Sequence, residues 1–286
     1  MRRMEMNFHT APVNNVSEVT INVSDLKKSL DFYQEIIGFK VKSQTGKDAE
    51  LSADGKTTLL RLTQPSNPIN RHRTSGLYHF ALLLPDRSDL AAFIKHLSTK
   101  DIRLGASDHA VSEALYLDDP DGNGIEIYRD RAPEEWSWNN DEVHMVTDPL
   151  DVEGVMTTYK GEPFTGLPED TVMGHLHLHV ADLEDAVKFY TEGLGMEVVT
   201  RYGPQAAFLS FDKYHHHIAV NVWNGVGAPP PAKNSIGLNY YIMKYHTPEA
   251  VENTLNNLES LGYKVEETPE GVFSEDPAGN RVLINE

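Results

Sequence analysis

The chain has 286 residues, 40% of them hydrophobic, a formal net charge of −18 and no cysteine. A surface this acidic repels nucleic acid and anionic membranes. The absence of cysteine excludes disulfides, thiolate nucleophiles, zinc ribbons and iron–sulfur clusters, so any metal must be held by His, Asp or Glu.

No apolar run reaches the length of a membrane span, and the N-terminal MRRMEMNFHT is too polar for a signal peptide. A soluble cytoplasmic protein is the expectation. Residues 16–23 (VSEVTINV) read as a strand. Asp25 is positioned to cap a helix with Leu26, Leu30, Tyr33 and Ile37 on its apolar face and Gly38 as its stop. Strand-like stretches follow around 38–44, 48–53 and 57–63, then the polar loop QPSNPINRHRTSG. A strand from Leu77 (LYHFALLL) leads to a helix presenting Leu90, Phe93, Ile94 and Leu97, and to strands near 101–105, 113–117 and 124–129. Residues 131–170 read as an acidic, weakly periodic connector. A strand over Met173–Val180 (MGHLHLHV) and a helix over 183–194 come next, with further strands running to KYHHHIAVNVW. After the Pro/Gly loop NGVGAPPPAKNS, a strand (IGLNYYIM) precedes a helix with Val251, Leu255, Leu258 and Leu261 on one face, and the chain ends at RVLINE.

Two motifs repeat at one offset. Val23, Asp25, Leu26, Phe32, Tyr33, Gly38 and Val41 recur 157 positions on as Val180, Asp182, Leu183, Phe189, Tyr190, Gly195 and Val198. Asp119-Pro120-Asp121-Gly122-Asn123 recurs at the same offset as Asp276-Pro277-Ala278-Gly279-Asn280. The chain is therefore a duplication. Residues 1–130 hold units 16–65 and 76–130, residues 131–170 join the halves, and residues 171–286 hold units 173–223 and 236–286. Within MGHLHLHV the histidines alternate with aliphatics, so His175, His177 and His179 share one strand face. Such a face is poor core material unless it lines a cavity or holds a metal.

Four tandem βαβββ units carrying V-x-D-L…F-Y…L/I-G and D-P-x-G-N resemble the vicinal oxygen chelate superfamily. That superfamily includes glyoxalase I, the bleomycin and fosfomycin resistance proteins, and the extradiol dioxygenases of the catechol 2,3-dioxygenase kind. The resemblance implies an α+β fold in which the four units pair into two curved mixed sheets, with a metal in a concavity. Family members carry metal ligands on the first and last strands of a unit. Unit two offers His79 and Glu126, and unit three offers His175, seven residues before Asp182. The corresponding positions elsewhere are Glu18 in unit one and Tyr240 and Leu283 in unit four. His79, Glu126 and His175 make two histidines and a carboxylate, the facial triad of non-haem iron(II), and their distribution implies that unit two pairs with unit three and unit one with unit four. The best-known two-domain extradiol enzymes instead pair units within a half.

The resemblance also implies roles around the metal. His109 and Tyr116, in the stretch Asp108–Tyr116, resemble the residues that orient substrate hydroxyls. His216, in Tyr214-His215-His216-His217, resembles the acid–base histidine and is expected to work near the ordinary histidine pKa. His177 and His215 are expected to touch substrate. His72 and His96 read as surface residues, and D-P-x-G-N as a turn without chemistry. The implied cofactor is Fe(II), with Mn(II), Ni(II) and Zn(II) as other divalent candidates. The implied partners are a small aromatic diol and O2, with no nucleic acid, no membrane, and a homo-oligomer left open. A glyoxalase-type isomerase would need a fourth ligand, and the last strand of unit three offers only Asn221. A metal-free drug-binding protein is the other alternative.

Overall fold

The computed structural model describes residues 7–70, 72–100 and 102–286. The first six residues of the tail, Arg71 in the polar loop and Asp101 at the start of an expected strand lie outside the described residues.

Each unit contributes four strands, and the one expected near 101–105 lies instead at Gly105–Asp108. Unit one has strands Asn15–Asn22, Lys40–Gln44, Asp48–Ser52 and Leu60–Thr63. Unit two has Gly76–Leu83, Gly105–Asp108, Ser112–Asp118 and Gly124–Asp130. Unit three has Val172–His179, Glu197–Tyr202, Ala206–Ser210 and Ile218–Asn221. Unit four has Gly237–Lys244, Val265–Thr268, Gly271–Glu275 and Arg281–Asn285. Units two and three share a nine-stranded sheet, and units one and four share an eight-stranded one. Each sheet thus takes one unit from either half of the sequence. At its centre the first strands of the two units run antiparallel, Val172–His179 against Gly76–Leu83 and Asn15–Asn22 against Gly237–Lys244.

Alternation explains how the sheets associate. Val19 and Ile21 of unit one, Phe80 and Leu82 of unit two, and Leu176 and Leu178 of unit three are all fully buried in one aliphatic cluster. The alternate faces, with His79, His175 and His177 in one sheet and Glu18, Thr20 and Tyr240 in the other, are thereby turned away from this shared core.

The repeated motifs tie the two sheets together. Asp25 accepts a hydrogen bond from Lys28 N, and Asp182 one from Asp185 N, as helix N-caps. The capped helices, Leu26–Phe32 and Leu183–Lys188, each widen into a π-turn, with Gly38 N donating to Tyr33 O and Leu194 N to Phe189 O. Sequence periodicity does not distinguish this widened turn from an α-helix. The D-P-x-G-N turn does more than reverse the chain. Asp119 accepts from Asp121 N and Asn123 N, and its other oxygen accepts from Tyr33 OH at 2.9 Å. Asp276 repeats this with Tyr190 OH at 3.1 Å. The Tyr of F-Y, on the helix of one unit, therefore holds the Asp of the turn in a unit of the other sheet. Burial raises both carboxyls, Asp276 to about 6.

The connector is more structured than its weak periodicity suggested. It contributes the short helix Val152–Met156, and its Asp148–Pro149 adds an edge strand beside Gly105–Asp108. Its Phe164 stacks on His96 at 4.4 Å, and His96 Nε2 donates to Ile36 O. His96 is accordingly a half-buried packing residue rather than a surface one, whereas His72 is exposed.

Removing the Tyr33 hydroxyl strips a buried carboxyl of one partner. Tyr33→Phe should lower stability by about 1–3 kcal/mol, read as a reduced urea midpoint at unchanged m-value. An unchanged midpoint would show that the motif bond ties nothing together.

Candidate metal centre

Three adjacent strands assemble the site. Glu126 lies between Ile125 and Ile127, both fully buried on the opposite strand face. On the neighbouring parallel strand Ala81 faces Glu126 and His79 faces Gly124. On the next, antiparallel strand His175 faces Ala81 and His177 faces His79. Ala81 therefore sits between Glu126 and His175, and its single methyl leaves the space between them open.

The donor atoms converge. His175 Nε2 lies 3.1 Å from Glu126 Oε2, and His79 Nε2 lies 3.1 Å from the same oxygen without a hydrogen-bonding alignment. One atom from each residue falls within 4.8 Å of the other two, and among the described residues this is the one such gathering of His, Asp or Glu. His175 is 1% exposed and Glu126 2%. Burial pushes the Glu126 carboxyl up, but its contacts with His175 and His79 outweigh this and hold it well below the usual carboxylate range. Burial lowers His175 to about 4 against the opposing pull of Glu126. At neutral pH the site thus sets a dry carboxylate against the neutral imidazole of His175, the protonation that divalent metals need in their ligands. A buried His79 Nε2 without a hydrogen-bond partner among the described residues fits the same group.

Other candidates surround this point. His177 packs its ring 5.1 Å from His79, and its Nε2 has no partner among the described residues. Tyr78 and Trp223 are exposed and pack beside His177 at the rim, Tyr78 edge-on and Trp223 tilted. A cavity of about 230 Å³ opens here, with Tyr78, His79, Arg103 and Tyr116 in its wall. Tyr116 is paired across the strands with Glu126. His109 Nδ1 donates to Val146 O at 2.7 Å, which leaves Nε2 to accept from Tyr116 OH at 2.6 Å. Burial and the nearby Glu126 raise Tyr116 well above its ordinary value, so it stays a phenol.

The triplet His215–His217 separates into three environments. His216 lies over His175, ring centres 4.0 Å apart. Burial, followed by the neighbouring histidines, lowers His216 well below the ordinary histidine value, so the expectation of a near-ordinary pKa is corrected. His215 is fully buried, and both its nitrogens have protein partners, Asp130 Oδ1 at 2.7 Å and His216 Nδ1 at 2.9 Å. It has no free nitrogen for a substrate, which corrects its expected contact role. His217 donates to Phe8 O and accepts from Phe211 N.

The sequence reading missed Asp130, Tyr214 and Tyr128. Glu126, Tyr128 and Asp130 alternate on one strand, so period-two counting from Glu126 would have found two of them. It also missed His9, whose Nε2 donates to Gly174 O from the far N-terminus. Gly174 itself admits no side chain, because an added Cβ would collide with the Tyr128 hydroxyl. Asn221, at the fourth-ligand position of an isomerase, has its Oδ1 2.7 Å from His179 Nδ1 and also accepting from Trp223 N.

The second sheet repeats the register with other residues. Tyr240 faces Thr20 as His79 faces His177, Ile242 faces Glu18 as Ala81 faces His175, and Leu283 faces Ile242 as Glu126 faces Ala81. Its cavity of about 640 Å³ holds Glu18, Tyr240, Leu283 and Arg61, with Arg61 Nε donating to Glu18 at 3.2 Å.

The model of the Glyoxalase/Bleomycin resistance protein/Dioxygenase superfamily matches residues 15–127 and 172–284. The chain belongs to this superfamily. It is 43% identical over 273 residues to a catechol-2,3-dioxygenase of Bacillus subtilis (strain 168), covering 94% of this chain and 96% of that one. A 2,2',3-trihydroxybiphenyl dioxygenase of Sphingomonas paucimobilis is 27% identical over 250 residues, covering 84% and 74%. A crystal structure from Bacillus subtilis subsp. subtilis str. 168 superposes with a TM-score of 0.66 at 14% identity, over 94% of this chain and 84% of that one, and so shares the superfamily fold. No helix among the described residues is long and apolar enough to cross a membrane.

The buried histidines make stability pH-dependent. Burial holds both His9 and His175 near 4, below the 6.5 of an exposed histidine. As pH falls from 6.5 the unfolded chain takes up protons that the folded one refuses, so stability drops until about pH 4 and is unaffected above 6.5. At about 1.4 kcal/mol per pH unit for each group, the metal-free chain should lose about 2 kcal/mol per histidine between pH 6.5 and 5. Equal urea midpoints at pH 7.5 and 5.0 would contradict this burial.

Proposed function

We propose that the chain is an extradiol ring-cleaving dioxygenase acting on a catechol-type diol with O2, with Fe(II) held by His79, Glu126 and His175. The observation that carries this reading is the meeting of two imidazoles and one ionised carboxylate in a buried pocket. Its 43% identity to a catechol-2,3-dioxygenase over nearly the whole chain supports the same reaction. Three protein ligands leave coordination positions open, and the chemistry Fe(II) supplies there is to bring diol and O2 together and pass charge between them.

The protein's own groups have distinct tasks. The rim aromatics Tyr78 and Trp223, with the ring of His177, give a planar substrate apolar walls. Tyr116, whose proton is given to His109 at 2.6 Å, is a neutral phenol whose oxygen can accept from a substrate hydroxyl and orient it. His216, neutral and beside His175, can accept a proton from the diol and later return it. Burial keeps bulk water from the reacting groups.

Anaerobic loading with Fe(II), followed by catechol and air, should consume O2 and form a yellow ring-opened product. His175→Ala should lower iron affinity by more than the roughly 10–100-fold typical of residues that merely support ligands, and Glu18→Ala should leave about one iron per chain. Metal-loaded protein that turns over no catechol or hydroquinone would end the dioxygenase reading. Iron lost from Glu18→Ala but retained in His175→Ala would move the metal to the other sheet.

A further inference from the structure

Behind His216 runs a buried hydrogen-bonded chain that the proposed reaction does not yet use. His216 Nδ1 lies 2.9 Å from His215 Nδ1, and His215 Nε2 lies 2.7 Å from Asp130 Oδ1. The other Asp130 oxygen accepts from Tyr214 OH at 2.9 Å, and Tyr128 OH lies 2.7 Å from Tyr214 OH. Histidine and tyrosine members are at most 6% exposed.

The chain has a direction. A carboxylate only accepts hydrogen bonds, so the proton between Asp130 and His215 sits on His215 Nε2. In the singly protonated ring, His215 Nδ1 is bare and accepts. His216 Nδ1 is then the donor, and its own Nε2 is the nitrogen without a proton. No hydrogen bond to His216 Nε2 occurs among the described residues.

We propose that Asp130 and His215 are positioning residues that lock His216 in its Nδ1–H tautomer, so that a bare Nε2 is presented beside the proposed iron site. The catalytic meaning rests on the dioxygenase reading. When the diol is deprotonated, its O–H bond breaks as an Nε2–H bond forms, and the imidazolium so made is hydrogen-bonded through His215 to the Asp130 carboxylate. With the opposite tautomer, Nε2 would already carry a proton and could take none. The logic is that of the serine-protease triad, where changing the buried Asp to Asn enforces the wrong tautomer and lowers kcat about 10⁴-fold.

Histidine ¹⁵N NMR on the metal-free full chain at pH 7.5 reads the tautomer without turnover. His216 should show a pyridine-type Nε2 and a pyrrole-type Nδ1. In Asp130→Asn the amide can donate to His215 Nε2, which reverses both bonds, so His216 Nε2 should become the protonated nitrogen. The iron-loaded variant should lose kcat by about 10–10⁴-fold with a much smaller change in KM, and Asp130→Glu should restore the wild-type pattern. A protonated His216 Nε2 in the wild-type spectrum would overturn the proposal even if no variant folds. So would an Asp130→Asn spectrum identical to wild type. The expected tautomer in a protein that cleaves no diol would instead count against the dioxygenase reading and leave the relay standing.

Discussion

A carboxylate withdrawn from water must be met by positive charge or by several donors, or it costs several kcal/mol. Glu126 is 2% exposed and faces two imidazoles, and burial keeps that of His175 neutral. Neutral imidazoles can each offer one N–H, or, once turned to the bare nitrogen, a lone pair to a shared cation. The second arrangement satisfies all three groups at once. The rest of the sheet supports it, because the three residues are carried by neighbouring strands and Ala81 keeps the space between them open.

The duplicated sheet shows a different solution to the same constraint. At the pseudo-equivalent of His175 stands Glu18, and the cation that meets it is the chain's own Arg61. Burial raises the Glu18 carboxyl while Arg61 opposes the rise. The equivalents of His79 and Glu126 are Tyr240 and Leu283, neither a good ligand for a borderline metal. One sheet thus meets its buried carboxylate with an arginine, and the other meets its own with two histidines. Tyr33–Asp119 and Tyr190–Asp276 bind the two sheets to each other, so the unit pair without the triad also braces the pair that has it.

Much of this was legible in the sequence because it depends on spacing. The alternation in MGHLHLHV put His175, His177 and His179 on one face, and the 157-residue offset located Glu18 and Leu283 as counterparts of His175 and Glu126. The unit pairing was inferred from which units carry the candidate ligands that the resemblance implies, and the two sheets show that pairing. What spacing could not provide was the surroundings. His215 and His216 are adjacent in sequence, yet Asp130 takes one and His175 packs against the other, and only the packing of a non-repetitive loop decides which. The pKa of His216 depends on how many imidazoles crowd it in the dry interior. His9 and Phe8 reach the site from the opposite end of the chain, a contact that no periodicity encodes.

Anomalous diffraction at the iron edge, from crystals of the full chain grown anaerobically with Fe(II), tests the central claim most directly. The account predicts one strong peak per chain, within coordinating distance of His79 Nε2, His175 Nε2 and Glu126 Oε2, and none in the cavity around Glu18 and Arg61. A peak in that second cavity, or a peak near His79 and Glu126 that His175 does not touch, would contradict it.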